Sequence, residues 1–269
     1  MLDRKSFDEH NGLFDCILNI DKPAGMTTMD VVRCIKRVSR YKRIGHGGTL
    51  DPLATGVVVV CIGQATRMME YLIGGTREYR AAVELGVSTD TYDALGQVTM
   101  ERDPSSVGLS DVKRALQAFV GETDQVPPMY SALKRHGKRL YTLARAGVEV
   151  HRDPRRVQVH KLEIKDWSPP VVTLELTCGR GFYVRSLAHD LGNGLECGAH
   201  LTELVRLRSG PFKTSSALPL VEAERKFDEG TWKEVAYAPD VIVRQMRAVI
   251  VGTHIEEMIK TGRALSVEL

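Results

Sequence analysis

The sequence has little of what usually declares a compartment or a cofactor. Cysteine is scarce: Cys16, Cys34, Cys61, Cys178 and Cys197 are scattered, odd in number and never spaced as Cys-x-x-Cys. That excludes a disulfide framework or a zinc knuckle, and four of the five sit in the apolar or strand-like surroundings of reduced structural thiols. No apolar run is long enough to span a bilayer. The first ten residues, Met1 to His10, carry too much charge for a signal peptide. A cytoplasmic protein with no membrane contact is expected. Charge of one sign is lacking too, because a net +3 over 269 residues does not by itself announce a nucleic acid. There is no Gly-Lys-Ser/Thr ending to a glycine loop and no Gly-x-Gly-x-x-Gly after a strand, so phosphate-cradling nucleotide loops are excluded. No second histidine or acid accompanies His46 and Asp51 at a ligand spacing, so no metal site is expected. Repeats and low-complexity segments are absent.

What remains is an ordinary globular composition, 43% hydrophobic and 26% charged. The length suits one large domain with a small appendage. Residues 1–12 read as a loose polar leader. Strands are expected at Phe14–Ile20, from Val57, at Glu78–Leu85, Arg156–Trp167, Val171–Cys178 and Leu201–Leu207. Helices are expected from a cap at Thr27 or Thr28 to about Arg40, near Ala65–Leu72, at Asp111–Phe119 after a Ser110 cap, at Leu140–Ala146 and at Tyr183–Leu195. Strands and helices alternate irregularly, which predicts an α+β fold with a mixed, mostly antiparallel central sheet flanked by helices. The basic residues are clustered although the net charge is small. Arg33, Lys36, Arg37, Arg40, Lys42 and Arg43 form a run with no acid, and eight more lie between Lys134 and Arg156 against Glu149 and Asp153. Such patches suit a phosphate backbone.

The most informative stretch is Gly45-His46-Gly47-Gly48-Thr49-Leu50-Asp51-Pro52-Leu53-Ala54-Thr55-Gly56. Glycines before Asp51 permit left-handed or close-approach backbone, and Pro52 fixes the chain just after it. The β-branched run Val57–Ile62 then reads as a buried strand, so one carboxylate stands on a shaped loop at a strand mouth, where catalytic groups tend to lie.

This loop resembles the signature of the TruB family of pseudouridine synthases. Asn19-Ile20-Asp21-Lys22-Pro23-Ala24-Gly25-Met26, Arg77-Glu78-Tyr79-Arg80, Thr89-Asp90-Thr91-Tyr92-Asp93, and Gly181-Phe182-Tyr183-Val184-Arg185 with Asp190-Leu191-Gly192 resemble further blocks of that family, in order, from about residue 13 to 212. The resemblance implies the pseudouridine synthase fold and isomerisation of uridine to pseudouridine at position 55 in the T-loop of transfer RNA, with base flipping and no cofactor. It places Asp51 as the acid acting at C1′ or C2′ of the ribose, and Arg185 as its ionic partner. Tyr79 would stack on the base and help remove the C5 proton. Tyr183 and Leu204 would pack the uracil, and His46 would fill the place of the flipped base. Lys22 and Asp93 join the substrate-binding set as supports of the cleft. Arg33, Lys36, Arg37, Arg40, Lys134, Lys138 and Arg139 are the expected RNA-backbone contacts.

The same resemblance divides the chain into a catalytic domain, 13–235, and a truncated PUA-like segment, 236–269. It makes the basic insert 127–154 a thumb that closes over RNA. It implies a monomer with transfer RNA as its partner and no obligatory protein partner. The RNA-guided archaeal and eukaryotic branch is disfavoured by Leu53-Ala54, by the insert and by the missing barrel strands. A non-catalytic RNA chaperone would not require Asp51, Tyr79 and Arg185, although a tRNA-folding activity alongside the chemistry is compatible with them.

Overall fold

The computed structural model describes residues 15–135 and 137–264. The expected leader and Phe14, the start of the expected first strand, lie outside the described residues. From the N-terminal side come β1 (Cys16–Lys22), α1 (Thr28–Ser39), β2 (Ile44–His46), β3 (Thr55–Ile62), α2 (Met69–Gly74) and β4 (Arg77–Leu85). The hairpin β5 (Val87–Thr89) and β6 (Val98–Glu101) follows, then α3 (Leu109–Gln117) and β7 (Gly121–Gln125). The insert holds a ribbon, β8 (Lys134–Arg135) and β9 (Lys138–Arg139), and α4 (Leu140–Arg145). After it run β10 (Arg155–Ser168), β11 (Val171–Cys178), α5 (Val184–Gly194) and β12 (Ala199–Ser209). The chain closes with β13 (Phe212–Lys213), β14 (Leu218–Pro219), α6 (Leu220–Asp228) and α7 (Thr253–Lys260).

One sheet organises the molecule, in the order β14-β1-β3-β12-β4-β11-β10-β7, with β2 on β3 and β13 on β12. Only β1 with β14 and β3 with β12 pair in parallel; the other ladders are antiparallel, so the α+β, mostly antiparallel expectation holds. The unbroken run of β3 follows from its position. Val58, Val60 and Ile62 enter the large core under α1 and α5, while Val57, Val59 and Cys61 enter a second core on the opposite face. A strand buried on both faces loses the alternation of a half-exposed one. β4 keeps that alternation along its whole length.

Helix α1 begins with a capping box: Asp30 N–H donates to Thr27 Oγ1 at 3.1 Å, and Thr27 N–H donates to Asp30 Oδ2 at 2.9 Å. Its buried face is Thr28, Val31, Val32 and Ile35. The α3 cap differs from expectation. Gly108 precedes the helix and donates to Asp111 Oδ2 at 3.0 Å, so Ser110 lies inside the first turn. The acid at the third helical position had the stronger claim on the free N–H groups than a hydroxyl one residue earlier.

The chain stays in the core beyond residue 235. Tyr237 exchanges backbone hydrogen bonds with Ile17 at 2.9 and 2.8 Å, and Ala236, Tyr237, Val241 and Ile242 are buried. No strand follows β14 among the described residues, and α7 buries no side chain. The region expected to open a PUA-like barrel is therefore a packed turn followed by an amphipathic helix.

Gly56 shows how tightly β3 and β12 approach. Its φ is +97°, and an added Cβ would stand 2.4 Å from the Arg206 carbonyl oxygen. Gly56→Ala should cost more than about 2 kcal/mol, combining left-handed strain with a backbone clash. Urea unfolding checks this; an unchanged midpoint would mean that the strands part at no cost.

Candidate active site

Asp51 is placed by contacts on both sides of its loop. Leu50 N–H donates to Thr28 Oγ1 at 2.8 Å, and that hydroxyl donates back to the Leu50 carbonyl at 3.1 Å. The Pro52 carbonyl accepts from Gly25 N–H at 2.8 Å, and the Asp51 carbonyl accepts from Ala54 N–H at 3.1 Å. The loop is therefore pinned to α1 and to the turn after β1. Opposite stands Arg185, the second residue of α5. Its Nε donates to Asp51 Oδ2 at 2.9 Å and its Nη2 to Asp51 Oδ1 at 3.0 Å, a two-pronged, charge-assisted pair.

The rest of the guanidinium is also satisfied. Nη1 donates to the Thr91 carbonyl at 3.0 Å and Nη2 to the Tyr130 carbonyl at 2.8 Å. Asp93 lies behind the pair, with Oδ2 3.7 Å from Arg185 Nε and Oδ1 held by Thr91 Oγ1 at 2.7 Å and Leu95 N–H at 3.1 Å. The Arg185 side chain is 5% exposed and that of Asp51 is 31% exposed. Arg185 is thus packed away while one edge of the carboxylate remains open to a substrate.

That edge faces a cleft of about 350 Å³, lined by His46, Asp51, Arg77, Tyr79, Tyr183 and Leu204 among others. The volume is within the range of small-ligand sites. Tyr79 is the third residue of β4, and Leu204 comes from the neighbouring β12. Tyr183 precedes α5 and is fixed by Gln125, which accepts its N–H at 2.8 Å and donates to its carbonyl at 3.0 Å. Burial pushes the Tyr79 and Tyr183 hydroxyls above the usual tyrosine range. Burial pulls His46 below its ordinary value, so its ring is neutral near pH 7; its Nδ1 accepts from Gly48 N–H at 3.4 Å.

Lys22 and Asp93 need correction as substrate-binding residues. Neither lines the cleft. Lys22 is fully buried, with Nζ donating to the carbonyls of Pro23 and Met26 at 2.7 Å each and of Pro52 at 3.4 Å. It ties the turn after β1 to the residue following Asp51, as Asp93 buttresses Arg185. Both stand outside the cleft lining and hold the elements that form it.

Burial lowers Lys22 to about 8. Since the unfolded lysine keeps its proton to about pH 10.5, the unfolded state binds more protons between those values, and stability attributable to Lys22 rises with pH across that window. The gain is on the order of 3 kcal/mol. The difference in urea midpoint between wild type and Lys22→Met should change from pH 7.5 to 10; parallel curves would mean an ordinary lysine.

The basic residues lie outside the cleft. Arg33 pairs with Asp30 at 2.5 Å and Arg37 with Glu224 at 2.6 Å, while Lys36 on α1 and Arg40 just after it are exposed. Lys134, Lys138 and Arg139 are exposed on the β8–β9 ribbon. Two cations that bear on the cleft were not legible in the sequence. Arg77 lines it at 8% exposure, and among the described residues no carboxylate lies within ion-pair distance of it; its Nη2 donates to the Ile73 carbonyl at 3.2 Å. Arg206 lies behind Tyr79 at 1% exposure. The basic residue before Glu78-Tyr79 was a signal for the first; only strand pairing reveals the second.

A family model of the TruB family pseudouridylate synthase N-terminal domain matches residues 36–184, more than half the chain. The chain belongs to the TruB family. A model of the tRNA pseudouridylate synthase B C-terminal domain continues over residues 185–251. The two TruB segments therefore meet inside the cleft, Asp51 and Tyr79 coming from one and Arg185 and Leu204 from the other. A tRNA pseudouridine synthase B of Symbiobacterium thermophilum is 52% identical over 211 residues, 77% of this chain and 71% of that one. One from Dehalococcoides mccartyi is 40% identical over 253 residues, covering 94% and 84%. Among solved structures, the crystal structure of a Cbf5–Nop10–Gar1 complex matches with a TM-score of 0.67 and 29% identity over 85% of this chain. The TruB-family chain spans 61% of the length of that solved chain.

Proposed function

We propose that this chain converts uridine to pseudouridine in transfer RNA, at position 55 of the T-loop. The observation that carries the chemistry is the two-pronged Arg185–Asp51 pair with the open edge of the carboxylate turned into a base-sized cleft. In the reaction the N1–C1′ bond breaks, the uracil turns, and C5 joins C1′. Asp51 acts at the ribose, as nucleophile toward C1′ or base toward C2′, and either route needs an ionised carboxylate sheltered from water. Arg185 balances that charge and fixes its direction. Tyr79 stacks on the uracil and takes part in removing the C5 proton. Tyr183 and Leu204 enclose the ring from its other sides, and His46 occupies the gap the base leaves.

The insert 127–154 serves as the arm that closes on RNA, with Lys134, Lys138 and Arg139 on its ribbon, and Arg33, Lys36 and Arg37 of α1 with Arg40 at its end as outer phosphate contacts. Residues 13–235 hold the catalytic machinery, with 236–269 appended. The enzyme works as a monomer in the cytoplasm without a protein partner.

The test is tritium release from transfer RNA labelled with [5-³H]uridine, beside the same RNA carrying cytidine at position 55. One equivalent released from the first and none attributable to that site in the second is the expected result. Tight binding without release from either RNA would overturn the assignment for transfer RNA.

A further inference from the structure

Four buried cations surround Asp51 and Tyr79. Arg185 balances Asp51, Lys22 ties together backbone carbonyls, and Arg77 lines the open wall of the cleft with Nη2 on the Ile73 carbonyl. Arg206 remains. It lies on β12 directly across the ladder from Tyr79 on β4. Its Nε donates to the Val57 carbonyl at 2.7 Å, its Nη1 to Thr49 at 3.0 Å and its Nη2 to Gly48 at 3.2 Å. The Tyr79 side chain, on the facing residue of the ladder, interacts with the same guanidinium. Among the described residues no carboxylate stands within ion-pair distance of it.

Neutral donors could satisfy three carbonyls, whereas burying a guanidinium without a counter-ion costs several kcal/mol. A charge kept under those conditions points to an anion that forms during turnover. The group in contact with it that can become anionic is the phenol of Tyr79, which reaches the cleft wall.

Resting on the function proposed above, we propose that Arg206 is a positioning residue that holds the Tyr79 hydroxyl at the cleft and stabilises its phenolate, the base that removes the C5 proton. After C5 has joined C1′, C5 carries both the ribose and its original hydrogen. The phenolate takes that hydrogen as a proton, and the C5–H electron pair restores the C5–C6 double bond. The C6–N1 π pair returns to N1, which is protonated by water. Tyr79 is then in its neutral resting form, and a phenolate forms again only when that proton passes to solvent within a later turnover. Burial outweighs the Arg206 charge in the resting protein, so the phenol is neutral there and the anion is the form that Arg206 brings within reach during turnover. The same guanidinium grips Gly48 and Thr49, so the base and the loop of Asp51 are set in register by one side chain.

The experiment begins with wild type on [5-³H]uridine-labelled transfer RNA. Release there secures the underlying reading, so a later failure counts against Arg206 alone. Arg206→Gln, checked for fold by circular dichroism and for unchanged affinity toward transfer RNA, should lose about 100-fold in kcat. Its pH–rate profile should move alkaline, and a normal isotope effect should appear with 5-deuterated uridine as C5 deprotonation becomes limiting. Arg206→Lys should recover part of the rate, and Tyr79→Phe added to Arg206→Gln should cost little more. A folded Arg206→Gln with wild-type kcat would overturn the proposal. So would a loss with no isotope effect, no pH shift and full additivity with Tyr79→Phe. Fluorotyrosine at position 79 of the otherwise native enzyme gives a reading free of misfolding. A more acidic phenol should shift the profile toward acid, and an unshifted profile would also overturn the proposal.

Discussion

Asp51→Asn should leave the fold and the affinity for transfer RNA intact while reducing tritium release by at least about 10⁴-fold. The substitution changes one atom of a side chain whose position is fixed by its neighbours. The loop stays pinned through Leu50 to Thr28 and through Pro52 to Gly25. The carboxamide can still accept from one prong of Arg185. What disappears is the charge proposed to act on the sugar, and among the described residues no other carboxylate lines the cleft to replace it. Asp93 is held behind Arg185 by Thr91 and Leu95 and cannot reach. Single-turnover release and filter binding, measured together, check both halves. Turnover within about tenfold of wild type would remove Asp51 from the chemistry.

Arg185→Met should damage stability and activity together. The guanidinium serves Asp51, Thr91 and Tyr130 and lies 3.7 Å from Asp93. Its loss brings two carboxylates face to face across a space with no cation and leaves two carbonyls without a donor. Removing one member of a buried ion pair costs about 3–5 kcal/mol, and turnover should fall by about 10³-fold or more through misplacement of Asp51. Arg185→Lys separates the effects: one ammonium keeps the charge but cannot address all the acceptors in a planar fork. It should regain more stability than activity. Urea unfolding with tritium release decides, and a Met variant equal to wild type in both would show the pair to be incidental.

Much of this site was legible because its residues sit in motifs. The loop from Gly45 to Gly56, the Tyr79 block and the Gly181–Arg185 block each carry backbone-special or charged residues at fixed spacing, and the structure brings Asp51, Tyr79, Tyr183, Arg185, Leu204 and His46 to one cleft. The sheet was legible where burial is one-sided, as in β4 and β11. Other features depend on partners remote in sequence. Arg206 is an arginine on a strand, as readily outward as inward, until pairing sets it opposite Tyr79 and over Gly48, 158 residues away. Lys22 reads as a support of the cleft, but the carbonyls of Pro23, Met26 and Pro52 that its ammonium joins come together only in the fold. The short hairpin β5–β6 has too few residues for a periodic signal, and the fate of residues 236–243 is decided by the exposed backbone of β1, to which Tyr237 adds a bridge.

The carbonyl of Tyr130 opens the basic insert, and it rests on the same Arg185 nitrogen that reaches Asp51. The Tyr130 hydroxyl meets Asp90 at 3.4 Å, beside the Thr91 carbonyl that Arg185 also holds. Arm, hairpin and reactive carboxylate are thus riveted at one point. A shift of the insert at Tyr130 would therefore bear directly on the guanidinium plane that orients Asp51.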